Sequence, residues 1–349
     1  MRSVQILLLL FIGSGKVSFG FQSYPRSILQ SNNQIQDSFT SQIHRHALND
    51  VTTEFPDGED HKKKAQRRQL SKAYHACSYV LGITSVSIFV IKDTSQNRLL
   101  TQKVAGAVGF GLAAGVSHIL GGATDQNRLG SDTYKRLNLG LLGFSTLGLL
   151  VVPGEAGFLP TANTFLVAWT LLSLVKGLTA VVAWEGWKRG VDSNSSLVAE
   201  LIQGIASTLQ GIWFTKKRGA AYRNPLVLVI LGMVSSFFEG CFFVTYKMPT
   251  LDTSLWWSAV GRLFLITTMM YSLKDAADRE RLSGTTFIQL NFMMFVWLFT
   301  VGIAQSLRVG EPFLLSKASL LPLSIPFLIE TCRYQMEKYN KSHSVTTPE

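Results

Sequence analysis

Charge is what this chain of 349 residues has least of, since 16% of its residues are Asp, Glu, Lys or Arg against about 25% in soluble domains. Cysteine is scarce as well. Cys77, Cys241 and Cys332 are the full set, each inside an apolar stretch and none at paired spacing. That excludes a disulfide framework and a zinc knuckle, and leaves small packing residues in helices. There are six histidines, four of them outside the apolar stretches, too scattered for a His-rich metal or haem centre. The sequence contains no phosphate loop and no nucleophile–base pair, and no linker long enough for a soluble catalytic domain. No catalytic set, metal or cofactor is expected, and no enzyme.

What is present is hydrophobicity gathered into runs: 47% of residues are apolar and mean hydropathy is +0.22. The net charge of +11 would suggest nucleic acid in a soluble protein. Here the basic residues sit between the apolar runs, where membrane topology accounts for them. No nucleic-acid partner is expected; the lipid bilayer is.

Eight runs are long enough to cross a bilayer: Ala73–Ile91, Val104–Gly122, Leu137–Pro153, Asn163–Trp184, Pro225–Tyr246, Leu255–Leu273, Thr285–Leu307 and Pro312–Thr331. Each has 17 to 23 residues, which at 1.5 Å per residue spans the hydrocarbon. Backbone amides find no water there, so these runs must be helices. The alternating ten-residue strands of a barrel are absent. A ninth stretch, Leu197–Phe214, places Glu200, Gln203, Ser207 and Gln210 on one helical face and apolar residues on the other, as an interfacial amphipathic helix does.

Charge decides the count. With eight spans, 21 Lys and Arg fall on one side and five on the other; a ninth span would give 13 and 13. Topology follows the biased distribution. Both termini then lie on the basic side.

The N-terminus reads as an address. Arg2 precedes the short apolar run Ile6–Ile12 and the small-residue site Ser18-Phe19-Gly20, the layout of a signal peptide over residues 1–20. Phe21 opens a Ser-rich, acid-poor stretch holding Arg26, His44, Arg45 and His46, which is transit-peptide composition. Residues 1–55 thereby resemble the bipartite presequence of algae with secondary plastids. The resemblance implies a plastid membrane; without it, a secretory-pathway membrane is expected. Residues 51–72, with Lys62–Lys64, Arg67, Arg68 and Lys72, read as a charged arm without structure, so that the whole of 21–72 is a transit-like, basic, disordered segment.

Two loops repeat each other. Asp125, Arg128, Leu129, Thr133, Tyr134, Leu137 and Asn138 recur 153 positions on as Asp278, Arg281, Leu282, Thr286, Phe287, Leu290 and Asn291. The expected fold is all-α and polytopic. Eight transmembrane helices form two parallel four-helix repeats, 73–190 and 225–341, joined by linker 191–224 with its amphipathic helix and followed by a tail, 342–349. In the loops, Asp125 with Arg128 and Asp278 with Arg281 have the spacing to lock a turn, and Thr133 and Thr286 can cap the next helix. Asn138 and Asn291 can hydrogen-bond between helices.

Ionisable groups at span depth are functional hypotheses by default. Glu239 and Arg262 flank a turn near Met248–Thr253 at equal separation, which predicts equal depth and an ion pair. In the first copy their positions hold Phe89 and Gly109. Lys176 lies in the fourth run. His118, aligned with Tyr271, lies in the second, whose Gly106, Gly109, Gly111 and Gly115 form a close-packing face. The functional expectation is a carrier or channel for a small solute, with a path between the copies near Glu239, Arg262 and Lys176. The alternative is a non-catalytic scaffold or assembly factor of a plastid membrane that holds membrane-protein partners.

Overall fold

The structure is a computed structural model that describes residues 57–90, 98–156, 162–191, 219–245, 250–306, 323–333 and 336. Among the described residues it is all helical: α1 (Asp57–Val90), α2 (Arg98–Asp125), α3 (Asp132–Ala156), α4 (Ala162–Gly190), α5 (Ala220–Thr245), α6 (Thr250–Asp278) and α7 (Thr285–Ser306), then α8 over residues 323–333. The presequence, the amphipathic helix at 197–214 and the first half of the last expected span lie outside the described residues. The chain divides into two compact units, 1–66 and 67–349. The described part of the first is the beginning of α1, and the bundle belongs to the second.

Among the described residues four stretches are long and apolar enough to cross a membrane: Val104–Asp125, Leu166–Gly190, Ala220–Glu239 and Thr285–Ala304. They are compatible with an integral membrane protein. α4 and α5 turn Leu171, Leu174, Leu178, Leu228, Leu231 and Phe238 outward. A face this apolar suits lipid rather than water. α2 and α7, by contrast, are mostly covered.

One expectation is corrected at the N-terminal end of the bundle. The basic arm is not structureless from 57 to 72, because α1 begins at Asp57. Asp57, Glu59 and Asp60 complement the positive end of a helix, and the Lys, Ala, Gln and Arg that follow are good helix formers.

The helices pack crosswise. α3 lies along α6 and α7 along α2, while α3 also packs on α4 and α5 on α6. Glycine permits the approach. A β-carbon at Gly140 would collide with Thr268, one at Gly115 with Met293 and one at Gly143 with Phe264. At Gly109 it would lie 2.6 Å from Arg262 Cδ. In these four contacts the glycine lies in the first half of the bundle and the intruding side chain in the second. Gly261 is the reverse case, facing Phe144 and Leu147 of α3.

The α2–α3 and α6–α7 loops share one hydrogen-bond plan. Gln126 N donates to Gly122 O, Asn127 N to Thr124 O, Arg128 N to Ala123 O, Ser131 N to Arg128 O, and Tyr134 N and Lys135 N to Ser131 O. Each donor and acceptor has a counterpart 153 residues on: Arg279 to Asp275, Glu280 to Ala277, Arg281 to Ala276, Gly284 to Arg281, and Phe287 and Ile288 to Gly284. The pattern is a Schellman stop followed at once by a new helix start. It needs a left-handed residue just past the helix, and Asn127 (φ 53°) and Glu280 (φ 57°) supply it.

Candidate functional site

The interior of the first half is built around α3. Ten residues separate Asn138 from Gly148 on α3, and ten separate Gly186 from Lys176 on antiparallel α4. A β-carbon at Gly186 would meet Asn138 Oδ1 at 3.0 Å, and one at Gly148 would meet Lys176 Nζ at 2.8 Å. The two contacts fix the register, which puts Ser145 level with Thr179.

Three polar levels follow. Nearest the α2–α3 loop, the Tyr74 hydroxyl donates to Asn138 Oδ1, and both residues are fully buried. At the next level, Cys77 of α1 comes up to Thr179, whose hydroxyl donates to Val175 O at 2.7 Å. Deepest lies Lys176, 1% exposed. Its ammonium donates to Gly148 O at 3.0 Å and stands 5.5 Å from the Phe110 ring centroid. Asn138 Nδ2, Ser145 Oγ and Ser117 Oγ are buried without a hydrogen-bond partner. Such groups are costly in an apolar interior. Phe110 packs edge-on against Phe144, with centroids 5.5 Å apart. Ser117 therefore lies two turns along the same α2 face, at the level of Asn138.

Among its described residues the second half repeats the first of these levels. Tyr222 donates to Asn291 Oδ1 at 2.9 Å, and Phe327 of α8 packs on the Tyr222 ring. At the positions 153 after Ser117 and Ser145 stand Met270 and Leu298, both buried.

The expected Glu239–Arg262 geometry is corrected. Phe237 packs on Trp257, centroids 5.3 Å apart, and Gly232 faces Leu263. That register centres the hairpin near residue 247 because α6 starts at Thr250, five residues before the expected Leu255. The two Cα atoms therefore differ in depth by about 10 Å. Glu239 accepts from Ser235 at 3.3 Å, and Arg262 Nη1 donates to Ser258 at 2.7 Å. The Arg262 stem lies across Gly109, which stands 153 residues before it. Gly109 and Phe110 are neighbours, so Arg262 and Lys176 reach α2 at one level from different sides.

A charged network ties the two loops. Arg136 bridges to Asp275 at 3.0 Å, and Asp275 also holds Arg279 at 3.0 Å. The Arg136 guanidinium stacks 4.5 Å over Tyr271. The buried Lys274 pairs with Asp278 at 2.7 Å. Thr286, expected as a cap, shares a 3.0 Å hydrogen bond with the Tyr134 hydroxyl; the helix starts are instead capped by the carbonyls of Ser131 and Gly284. The expected Asp–Arg locks are not the contacts seen either: Arg128 donates to Gln126, and Asp278 accepts from Lys274. Asp125 and Arg128 are exposed, as is Arg281. His118 is exposed too, its ring edge-on to His75 at 5.2 Å.

Asn138 and Asn291 each accept a hydrogen bond from a Tyr on another helix. Tyr74, Tyr222, Ser117, Ser145 and Arg136 were not foreseen. The signal available in sequence was a Tyr at the edge of the first apolar run in each half, Tyr74 and Tyr222. Among the described residues no three His, Cys, Asp or Glu side chains converge as a metal site. No protein-family model matches the chain, and no curated protein does.

Proposed function

We propose that the chain is an integral membrane protein of a plastid membrane, with eight spans in two parallel four-helix copies, and that it carries a small solute. The shared loop plan, the two Tyr–Asn hydrogen bonds and the crosswise packing support the two-copy reading. The observation that carries the solute reading is Lys176, an ammonium wholly buried at span depth. Placing Lys in mid-bilayer costs about 2.5–3.5 kcal/mol, and a folded structure keeps such a group where a polar path uses it. The seam between the copies is filled by Arg262, Phe264, Thr268 and Met293, so the path runs inside the first copy rather than between the two. Arg262 and Glu239 belong to the seam and its flank.

Osmotic-shift light scattering on proteoliposomes tests this whatever the solute proves to be. Salts and small neutral solutes should re-swell wild-type vesicles faster than protein-free ones, and Lys176→Met should abolish the difference for the accepted solute. Wild-type vesicles as tight as empty ones to every solute would overturn it. The close-packed seam favours the second reading, a scaffold or assembly factor of that membrane, which tight vesicles would leave standing.

A further inference from the structure

We infer that the first copy holds a binding site for a small oxyanion of carboxylate size, between α1, α3 and α4 at the level of Ser145 and Lys176. The inference deepens the carrier reading and rests on it for the direction of approach. Three observations meet at this level. Ser145 Oγ is buried with no hydrogen-bond partner. One turn farther along α3, the absent side chain of Gly148 gives the Lys176 stem and ammonium their place beside the helix. Between them α4 contributes Thr179 and α1 contributes Cys77.

The chemistry selects the ligand. Asn138 Nδ2 is a donor only, Ser117 and Ser145 can each donate, and Lys176 brings positive charge. Of the carbonyls here, Gly148 O accepts from Lys176 and Val175 O from Thr179. A cluster of donors around an ammonium in a low-dielectric interior attracts an anion with oxygen acceptors and repels a cation. Ser117 and Asn138 lie about 10 Å nearer the loop side, which makes them a first station on the way to Ser145. In the second copy Met270 and Leu298 stand in place of the two serines.

Sodium formate, the smallest carboxylate, is the probe. The full chain, purified in detergent, is titrated with formate against sodium chloride at matched ionic strength, and thermal unfolding is followed. Formate should raise Tm saturably by a few degrees in wild type. The rise should vanish in Ser145→Ala and in Lys176→Met, and persist in Ser236→Ala, a buried serine of the second copy. A wild-type Tm indifferent to formate, or a shift that Ser145→Ala leaves intact, would falsify the site. Flux is read separately. Vesicles that move a solute while formate fails to bind would sink the oxyanion site and spare the carrier, whereas formate binding in tight vesicles would do the opposite.

Discussion

Glu280 sits in a left-handed conformation that L side chains other than Asn and Asp seldom adopt, at the turn where most helices place glycine. Its side chain is exposed, so removing it costs no packing. Glu280→Gly is expected to stabilise the protein by about 1 kcal/mol, seen as a raised midpoint of chemical unfolding in detergent. Ser145→Ala should act in the same direction for a different reason. The hydroxyl is buried and unsatisfied, and its loss relieves a desolvation penalty of about 1 kcal/mol or more. Tyr222→Phe should do the reverse. It leaves Asn291 Oδ1 buried without its donor, at a cost of about 1–3 kcal/mol. A double-mutant cycle with Asn291→Leu reports the coupling, which should exceed about 0.5 kcal/mol.

Among elements, the sequence spoke clearly where one physical rule acted alone. Runs of apolar residues had to be helices, and Gly106–Gly115 had to let another helix come close. Both hold among the described residues, with Arg262 and Met293 as the approaching groups. It spoke less clearly where an end had to be placed. α1 runs back to Asp57 because charge and propensity favour helix in residues too polar to cross lipid. α6 starts at Thr250 because hydropathy marks a span but not the helix continuing past it, and that one error moved Glu239 and Arg262 apart. The orphaned serines were invisible in the sequence, since whether a hydroxyl finds a partner depends on the register of three helices. The α3–α6 crossing can be checked directly. A β-carbon at Gly140 would lie 3.0 Å from Thr268 Cβ, so a small outward shift brings the pair to the roughly 3.5–4.5 Å of a disulfide. With Cys77, Cys241 and Cys332 replaced by Ala, the pair Gly140→Cys and Thr268→Cys should cross-link under mild oxidant. Cleavage of the chain between residues 192 and 218 should then leave the fragments joined on a non-reducing gel. Their separation would refute the crossing.

For the molecule as a whole, the two-copy reading makes a topological statement. The α2–α3 and α6–α7 loops must face the same compartment. Arg128→Cys and Arg281→Cys, both at exposed positions, should be labelled by a membrane-impermeant maleimide from the same side of sealed vesicles. Labelling from opposite sides would remove the parallel arrangement and return the linker helix to the membrane. The network of Arg136, Asp275 and Arg279 belongs to that same face, where salt weakens exposed pairs.

The unequal sharing of glycine across the seam reaches further. Gly115 receives Met293, and Met293 stands 153 residues after Gly140; Gly140 receives Thr268, which stands 153 after Gly115. One half is moulded as a socket and the other as its plug. Two sockets would meet across a gap, and two plugs would collide. On the two-copy reading, an ancestor able to pair with itself surrendered that freedom once these positions diverged, and the halves, expressed as separate chains, should now recognise only each other.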